Sequence, residues 1–506
     1  MGRLFKILQM LHLRKSILAL KLIAGSFLFS QCGIVGINYN KPKVYVPDGW
    51  TRSLAQDLNG SNPSIEHWWK KFNDKNLNVL VSRVKHHNKD LKIAAQSISI
   101  ARLQRGVASS QFKPGVDASA GATRSQSSEF ATGANINPSN LYNSAVDASW
   151  EADVFGGLKR NLEFAQRNQE AATESYRDLL VSLYAETVVN YIDYRTLQQR
   201  ISVANDQIVS QQETIRIAKD LLDAGLTSKI DMLQAQTDLN TTKAQLPQFK
   251  AQLIQVRNRL AVLTGGYPDS VVKLLSRSTH IPSPTRLGSI GLPAGLLRAR
   301  PDVRKAEREL AAQTAKIGVA EAELYPKFRL FGQFSLQSKK LPKLVDSRSV
   351  AYAFGPSFEW KIFSAGRLRK NIKIEEARTE QNLLSYEKTV LAAVEEVENS
   401  MAGIEYERDR LRELEKALSS SEEATTLVKD NYKEGLADFQ RVLDAERSKF
   451  SLKDQLSVSR GEIAKNYVKL YKSLGGGTTV SDIWIDAPRA QAKGKLKDRN
   501  RNNAKN

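Results

Sequence analysis

The chain has 506 residues, a mean hydropathy of −0.40 and a net charge of +21 from 75 basic and 54 acidic side chains. Beyond the N-terminus no run of about 18 apolar residues could cross a bilayer, which excludes a bundle of membrane helices and leaves a closed β-barrel as the only membrane-spanning option. The charge would suit a polyanion, but much of the excess lies at the two ends, from Arg3 to Lys21 and from Arg489 to Lys505, so no nucleic-acid partner is expected.

Residues 1–31 read as an export signal: a basic start, then an apolar segment from Ile17 to Phe29 too short to span. The signal ends at Cys32, the only cysteine of the chain, so no disulfide framework exists. A lone cysteine at this place reads as the acceptor of a lipid anchor, although Gln31 stands where such signals prefer a small residue. Residues 32–75 would then be an extended, lipid-anchored segment, held more firmly the more acyl chains Cys32 carries.

The rest of the chain repeats itself. A shift of 210 pairs Trp150 with Trp360, Gly156 with Gly366, Leu158 with Leu368, Gly225 with Gly435, Leu233 with Leu443 and Gly265 with Gly475. A shift of 212 pairs Asp90 with Asp302, Ala94 with Ala306, Gly106 with Gly318 and Pro114 with Pro326. The change of two residues falls between Pro114 and Trp150, where a loop absorbs it. The chain reads as a tandem duplication, with repeats at 76–275 and 300–477, a Pro-rich linker at 276–299 and a basic, poorly apolar tail at 478–506.

Each repeat opens with a helix, roughly 76–111 and 300–324, that stops before Pro114 or Pro326. Two period-two stretches follow. Val146, Ala148, Trp150, Ala152 and Val154 alternate with polar residues, as do Phe328, Leu330, Phe334 and Leu336, and again Tyr352, Phe354, Phe358, Trp360 and Ile362. The stretch after Pro114 is weaker, with small residues on both faces. Such alternation over about ten residues suits a membrane strand or a sheet on a soluble core. Loops are expected at 127–141 and 337–349.

Proline-free runs come next, Leu158–Leu222 and Leu368–Tyr432, long enough for helices on the order of 100 Å. Each ends at a Gly-Leu tip (Gly225-Leu226, Gly435-Leu436), where glycine supplies the left-handed residue that closes a helix. The chain then returns as a second helix, the first of these with a kink expected at Pro247. Four strands cannot close a barrel, because about eight is the practical minimum. A membrane span therefore requires several copies.

These residues resemble the TolC-type outer-membrane efflux factors, in their NodT/OprM-like lipoprotein branch. The carriers are Trp68-Trp69-Lys70, Ser149-Trp150-Glu151-Ala152-Asp153-Val154-Phe155-Gly156, Ala224-Gly225-Leu226-Thr227-Ser228 and, most specific, Leu296-Leu297-Arg298-Ala299-Arg300-Pro301-Asp302-Val303-Arg304. Phe363-Ser364-Ala365-Gly366-Arg367, Val442-Leu443-Asp444-Ala445 and Leu474-Gly475-Gly476-Gly477 follow in order. The resemblance implies a mainly α fold with a small β part. In a homotrimer, long helical hairpins would form an α-barrel tunnel, with a transmembrane β-barrel of four strands per protomer. The implied role is the passive outer-membrane duct of a tripartite efflux system. Its partners would be a periplasmic adaptor, an inner-membrane pump of the resistance-nodulation-division type and outer-membrane lipid. The implied adaptor-docking tips are Gly225, Leu226, Thr227, Ser228, Gly435 and Leu436, and the implied periplasmic gate is Asp438, Arg441 and Asp444. Arg441 stands where some relatives carry an aspartate.

Nothing in the sequence points to catalysis, a metal or a cofactor. The histidines His12, His67, His86, His87 and His280 lack metal-ligand spacing, and Glu395, Glu396, Glu422 and Glu423 read as solvated helix charges. The competing reading is a pore-less periplasmic coiled-coil scaffold.

Overall fold

A computed structural model describes residues 33–47, 49–50, 66–132, 137–276, 280–284 and 299–477. The signal, Cys32, most of the Pro-rich linker and the basic tail lie outside these residues. In chain order the principal elements are α1 (Lys75–His87), α2 (Lys89–Ser110), β1 (Gly115–Ser125), β2 (Ser139–Ala152), α3 (Gly157–Asp223) and α4 (Lys229–Leu263). The second half continues with α5 (Pro301–Ala322), β3 (Lys327–Ser338), β4 (Val350–Glu359), α6 (Arg367–Lys433) and α7 (Phe439–Ser473). Both long helices have 67 residues and both return helices 35. No helix among the described residues is long and apolar enough to cross a membrane.

Several boundaries differ from expectation. The single helix expected over 76–111 is two, because Asn88 has extended backbone and its Oδ1 accepts from Leu91 N at 3.0 Å, capping α2. The first loop is shorter than 127–141 and holds a helical turn at Glu129–Thr132, while β2 starts at Ser139. Trp360 and Ile362, expected in the last strand, lie beyond the end of β4 at Glu359. Helix α4 runs through Pro247 without ending.

The chain divides into two compact units. The first comprises the described residues up to Pro42 with Ile100–Glu170 and Glu307–Ser385. Its sheet is an antiparallel meander in the order β1-β2-β3-β4. Gly115 pairs with Ser149 in the first hairpin and Lys327 with Glu359 in the second. These are the same register once the sequence shifts of 212 and 210 are applied. At the base of each hairpin a tryptophan does the same work. Trp150 Nε1 donates to Phe112 O and Trp360 Nε1 to Leu324 O, both at 2.9 Å. The N-terminal segment is tied down by Arg160, which is buried and donates to Val35 O at 3.0 Å and to Gly36 O and Asn38 Oδ1 at 2.9 Å. Gly36 has φ +91°, and a Cβ there would sit 2.4 Å from Gly318 Cα, so no other residue fits this crossing.

The second unit, Lys43–Ser99, Ala171–Ala306 and residues from Tyr386 onward, carries the main apolar core. Trp68, fully buried, stacks on Tyr471 at 5.4 Å, and Trp69 meets Tyr184 edge-on at 4.8 Å. Leu77, Leu80 and Val84 of α1, one turn apart, bury against Leu260 and Leu263 of α4. Both return helices end in the same way: Gly265 (φ +72°) and Gly475 (φ +73°) close a turn in which the next glycine N donates five residues back, to Ala261 O and Tyr471 O. Carbonyls at these two ends are capped by the residue just before an earlier helix of the same repeat, α2 or α5. Asn88 Nδ2 donates to Leu263 O at 2.9 Å and Arg300 Nη1 to Ser473 O at 2.7 Å.

Candidate functional site

Two surfaces could carry function: one face of the sheet, in the first unit, and the helical tips, in the second. On the sheet, period-two alternation puts Val146, Ala148, Trp150 and Ala152 of β2 on the face that also holds Phe328, Leu330 and Phe334 of β3 and Tyr352, Phe354 and Phe358 of β4. Phe334, Tyr352, Phe354 and Phe358 are between 52% and 78% exposed, so nothing among the described residues covers this face. A contiguous apolar surface of this size marks a contact with lipid or protein. The opposite face is polar. Gln333 Nε2 donates to Asp147 Oδ1 at 2.7 Å and Arg329 pairs with Glu151 at 3.4 Å. β1 and β4 each have one unpaired edge, which isolated sheets do not leave long and open.

The tips are built by capping. Gly225, with φ +75°, donates from N to Leu222 O, while Leu226 N reaches Leu221 O, both at 2.9 Å. Ser228 then opens α4 by accepting from Ile230 N at 3.2 Å, and Thr227 Oγ1 bonds Asp231. The second tip repeats the turn: Gly435 at φ +74°, with Leu436 N on Asn431 O at 2.8 Å. With the turns satisfied internally, Leu226 and Leu436 project outward, 75% and 74% exposed. Behind them Tyr432, Phe439, Val442, Leu443, Ala218 and Ala235 form a small core of their own.

The three residues expected at the gate are not brought into one cluster within the chain. Asp438 occupies the N-cap position of α7 with extended backbone, but its side chain makes no capping bond. Its carbonyl accepts from Arg441 N at 3.1 Å, and the Arg441 side chain is exposed. Asp444 accepts from Gln440 Nε2 at 3.1 Å and pairs with Arg447 at 3.4 Å, both on its own helix.

Sequence reasoning missed the stronger ties between the hairpins. Arg447 of α7 grips Asp238 of α4 through two bonds of 2.8 Å, and Arg200 of α3 grips Asp454 of α7 at 2.7 and 2.9 Å. Glu446 is 1% exposed. It binds Lys429 of α6 and accepts from Ser210 Oγ and Thr214 Oγ1 of α3 at 3.0 and 2.9 Å. A buried charge is kept only when it is paired, but one carboxylate among many on a helix shows no sign of burial in the sequence. Glu396, read as solvated, holds Arg300 at 2.8 Å. Arg300 also forks onto Asp302 at 2.7 and 3.0 Å, so the most specific motif of the chain is a packing joint.

The family model described as outer membrane efflux protein matches residues 80–266 and 292–476. Nodulation protein T of Rhizobium leguminosarum bv. viciae is 29% identical over 456 residues, covering 89% of this chain and 92% of that protein. The toluene efflux pump outer membrane protein TtgF of Pseudomonas putida is 28% identical over 90% of this chain and 96% of its own length. Among solved structures, the outer-membrane channel OprN superposes with a TM-score of 0.81 at 33% identity, over 88% of this chain and 99% of that one.

Proposed function

The chain belongs to the outer membrane efflux protein family, and from that premise we propose that three copies form the exit duct of a tripartite pump. As a member of that family it is an outer-membrane efflux channel, a conduit for transport. The observation that carries the proposal is the open four-stranded sheet with one bare apolar face. Four strands are too few to close, whereas twelve from three copies enclose an open lumen, with aromatic side chains toward lipid and Asp147, Glu151, Arg329 and Gln333 toward water. The long helices would continue the lumen as a tunnel. Its two repeats, 76–275 and 300–477, would be the products of a tandem duplication joined by the linker at 276–299.

The exposed tips Gly225–Ser228 and Gly435-Leu436 would dock a periplasmic adaptor, which joins the duct to an inner-membrane pump of the resistance-nodulation-division type. Asp438, Arg441 and Asp444 would line the periplasmic mouth. Cys32, freed by removal of 1–31, would carry acyl chains. Ile34, two residues on, packs on Gly156 close to the end of β2, a place from which a lipid would reach the bilayer. Purified oligomers reconstituted in planar bilayers should pass ions in steps of one size. Ion-tight trimers that insert fully would leave the pore-less scaffold as the better reading.

A further inference from the structure

Within one copy the two halves meet at β2 and β3, with Ser149 opposite Phe331, Trp150 opposite Leu330 and Glu151 opposite Arg329. They meet again where α3 crosses α5: a Cβ at Gly318 would lie 2.8 Å from Arg160, and Lys316 sits 3.9 Å from the Phe164 ring. Helix α5 also meets α6, where Gln313 Nε2 donates to Glu375 at 2.6 Å. Helix α3 also meets the end of α2, where Asn161 bonds Gln111. The helices thus run α2, α3, α5, α6 in the same order as the strands, and the outermost faces of α2 and α6 have no neighbour among the described residues of this unit.

The burial pattern identifies what should cover them. On α5, Ala312 and Ala315 are 2% exposed. Their counterparts on α2, shifted by 212, are the larger Ile100 and Leu103, 55% and 70% exposed. Gly106, the counterpart of Gly318, has nothing within 4 Å of a Cβ. On α6, Ile374, the counterpart of Phe164, is 47% exposed.

We infer that copies join in the register that joins the halves: β4 of one copy lies antiparallel to β1 of the next, with Glu359 opposite Ser119 and Lys361 opposite Asp117. The α6 helix of the first copy then lies on α2 of the second, with Lys370 beside Gly106. This inference rests on the trimer reading and adds its residue-level seam.

Two features of the sequence fit it. The internal ion pair Glu151–Arg329 maps onto Lys361 and Asp117, which are again opposite charges, with the signs exchanged. Within its own copy Asp117 faces Asp147 across the β1–β2 pair, a like-charge placement that destabilises a sheet and that a cation from the next copy relieves. Size complements as well as charge. Phe358 and Trp360 come opposite Ala120 and Ala118, so the small residues of β1 leave room for the aromatic residues of β4.

The test is a charge swap read on trimers extracted in mild detergent. Asp117→Lys alone and Lys361→Asp alone should each lower the temperature at which trimers separate on a gel, and the double variant should recover at least half of the loss. Lys361 also pairs with Glu323 at 3.0 Å, so its single variant has a local cost, but a local role gives no rescue by Asp117→Lys. A double variant no more stable than the two losses combined overturns the seam. A second measurement does not depend on how well those variants fold. Ser119→Cys with Glu359→Cys should yield disulfide-linked dimers and trimers, whereas Ser119→Cys with Gly355→Cys, about 13 Å out of register, should not. Intact trimers linked only by the displaced pair overturn the register and leave the trimer standing; loss of any trimer in the unmodified chain overturns both.

Discussion

Arg300 shows how much one side chain can settle. Its guanidinium is 6% exposed by residue and serves three masters: the carboxylate of Asp302 that starts α5, Glu396 on α6 and the carbonyl of Ser473 that ends α7. Lysine could not reproduce that planar fork. Close to it lies Asp178, whose carboxyl is raised above the usual range, first by burial and then by the nearby charge of Asp302, with Lys305, Lys472 and Arg300 working the other way. The sign follows from linkage. A carboxyl raised in the folded state binds its proton more tightly there than in the unfolded chain, so its charged form costs stability at neutral pH, and the cost fades as pH falls through the raised value toward the unfolded one. Asp178→Asn should therefore raise the thermal midpoint at pH 7 by a few degrees. The gain should shrink when melts are repeated at about pH 4, near the ordinary carboxylate value, and disappear below it. A variant that is less stable at pH 7 would show that Asp178 is held by its cationic neighbours instead.

At the scale of the element, the tips separate folding from contact. At both tips the glycine N and the following leucine N donate to carbonyls of the helix just ended, and a Cβ at either glycine would meet nothing within 4 Å. The side chains of Leu226 and Leu436 contribute little to that closure. Leu226→Asp with Leu436→Asp should leave the melting curve within about 0.5 kcal/mol of the parent, as exposed substitutions do, while cutting adaptor capture in pull-downs at least tenfold. Equal capture would move the docking surface away from the tips. The sequence made these hairpins legible because glycine and the absence of proline are local signals. Helix α3 was expected over Leu158–Leu222 and spans Gly157–Asp223. The break at Asn88 escaped because the apolar period of α1 and α2 runs straight through it. Only the side chain's choice between helix and cap, settled by Leu263 O across the fold, ends α1 there. The strand β1 was weak in the sequence for a related reason. Its apolar positions are mostly alanine, and a small residue carries little period of its own.

At the scale of the whole molecule, the sequence could name the proposed gate residues only through resemblance, because a gate role would arise only where copies surround an axis. Within one chain Asp444 is 61% exposed and its pairing with Arg447 is shared, since Arg447 is committed to Asp238 by two shorter bonds. An exposed pair of this kind contributes little to stability. In the proposed trimer its importance would change: three carboxylates around one opening would make a ring of charge that favours passage of cations. Arg441, one turn earlier on α7 and also exposed, would oppose that field, so on this proposal the selectivity of the mouth would be a balance between two rings of opposite sign. Asp444→Asn should shift the reversal potential under a salt gradient toward anions without changing the melting temperature, and Arg441→Gln should shift it the other way. The effects should shrink as ionic strength rises and the Debye length falls from about 10 Å at 0.1 M to 3 Å at 1 M. If neither substitution moves the reversal potential in open channels, the ring at the mouth does not set selectivity, and the polar face of the sheet, with Asp147, Glu151 and Arg329, becomes the place to look.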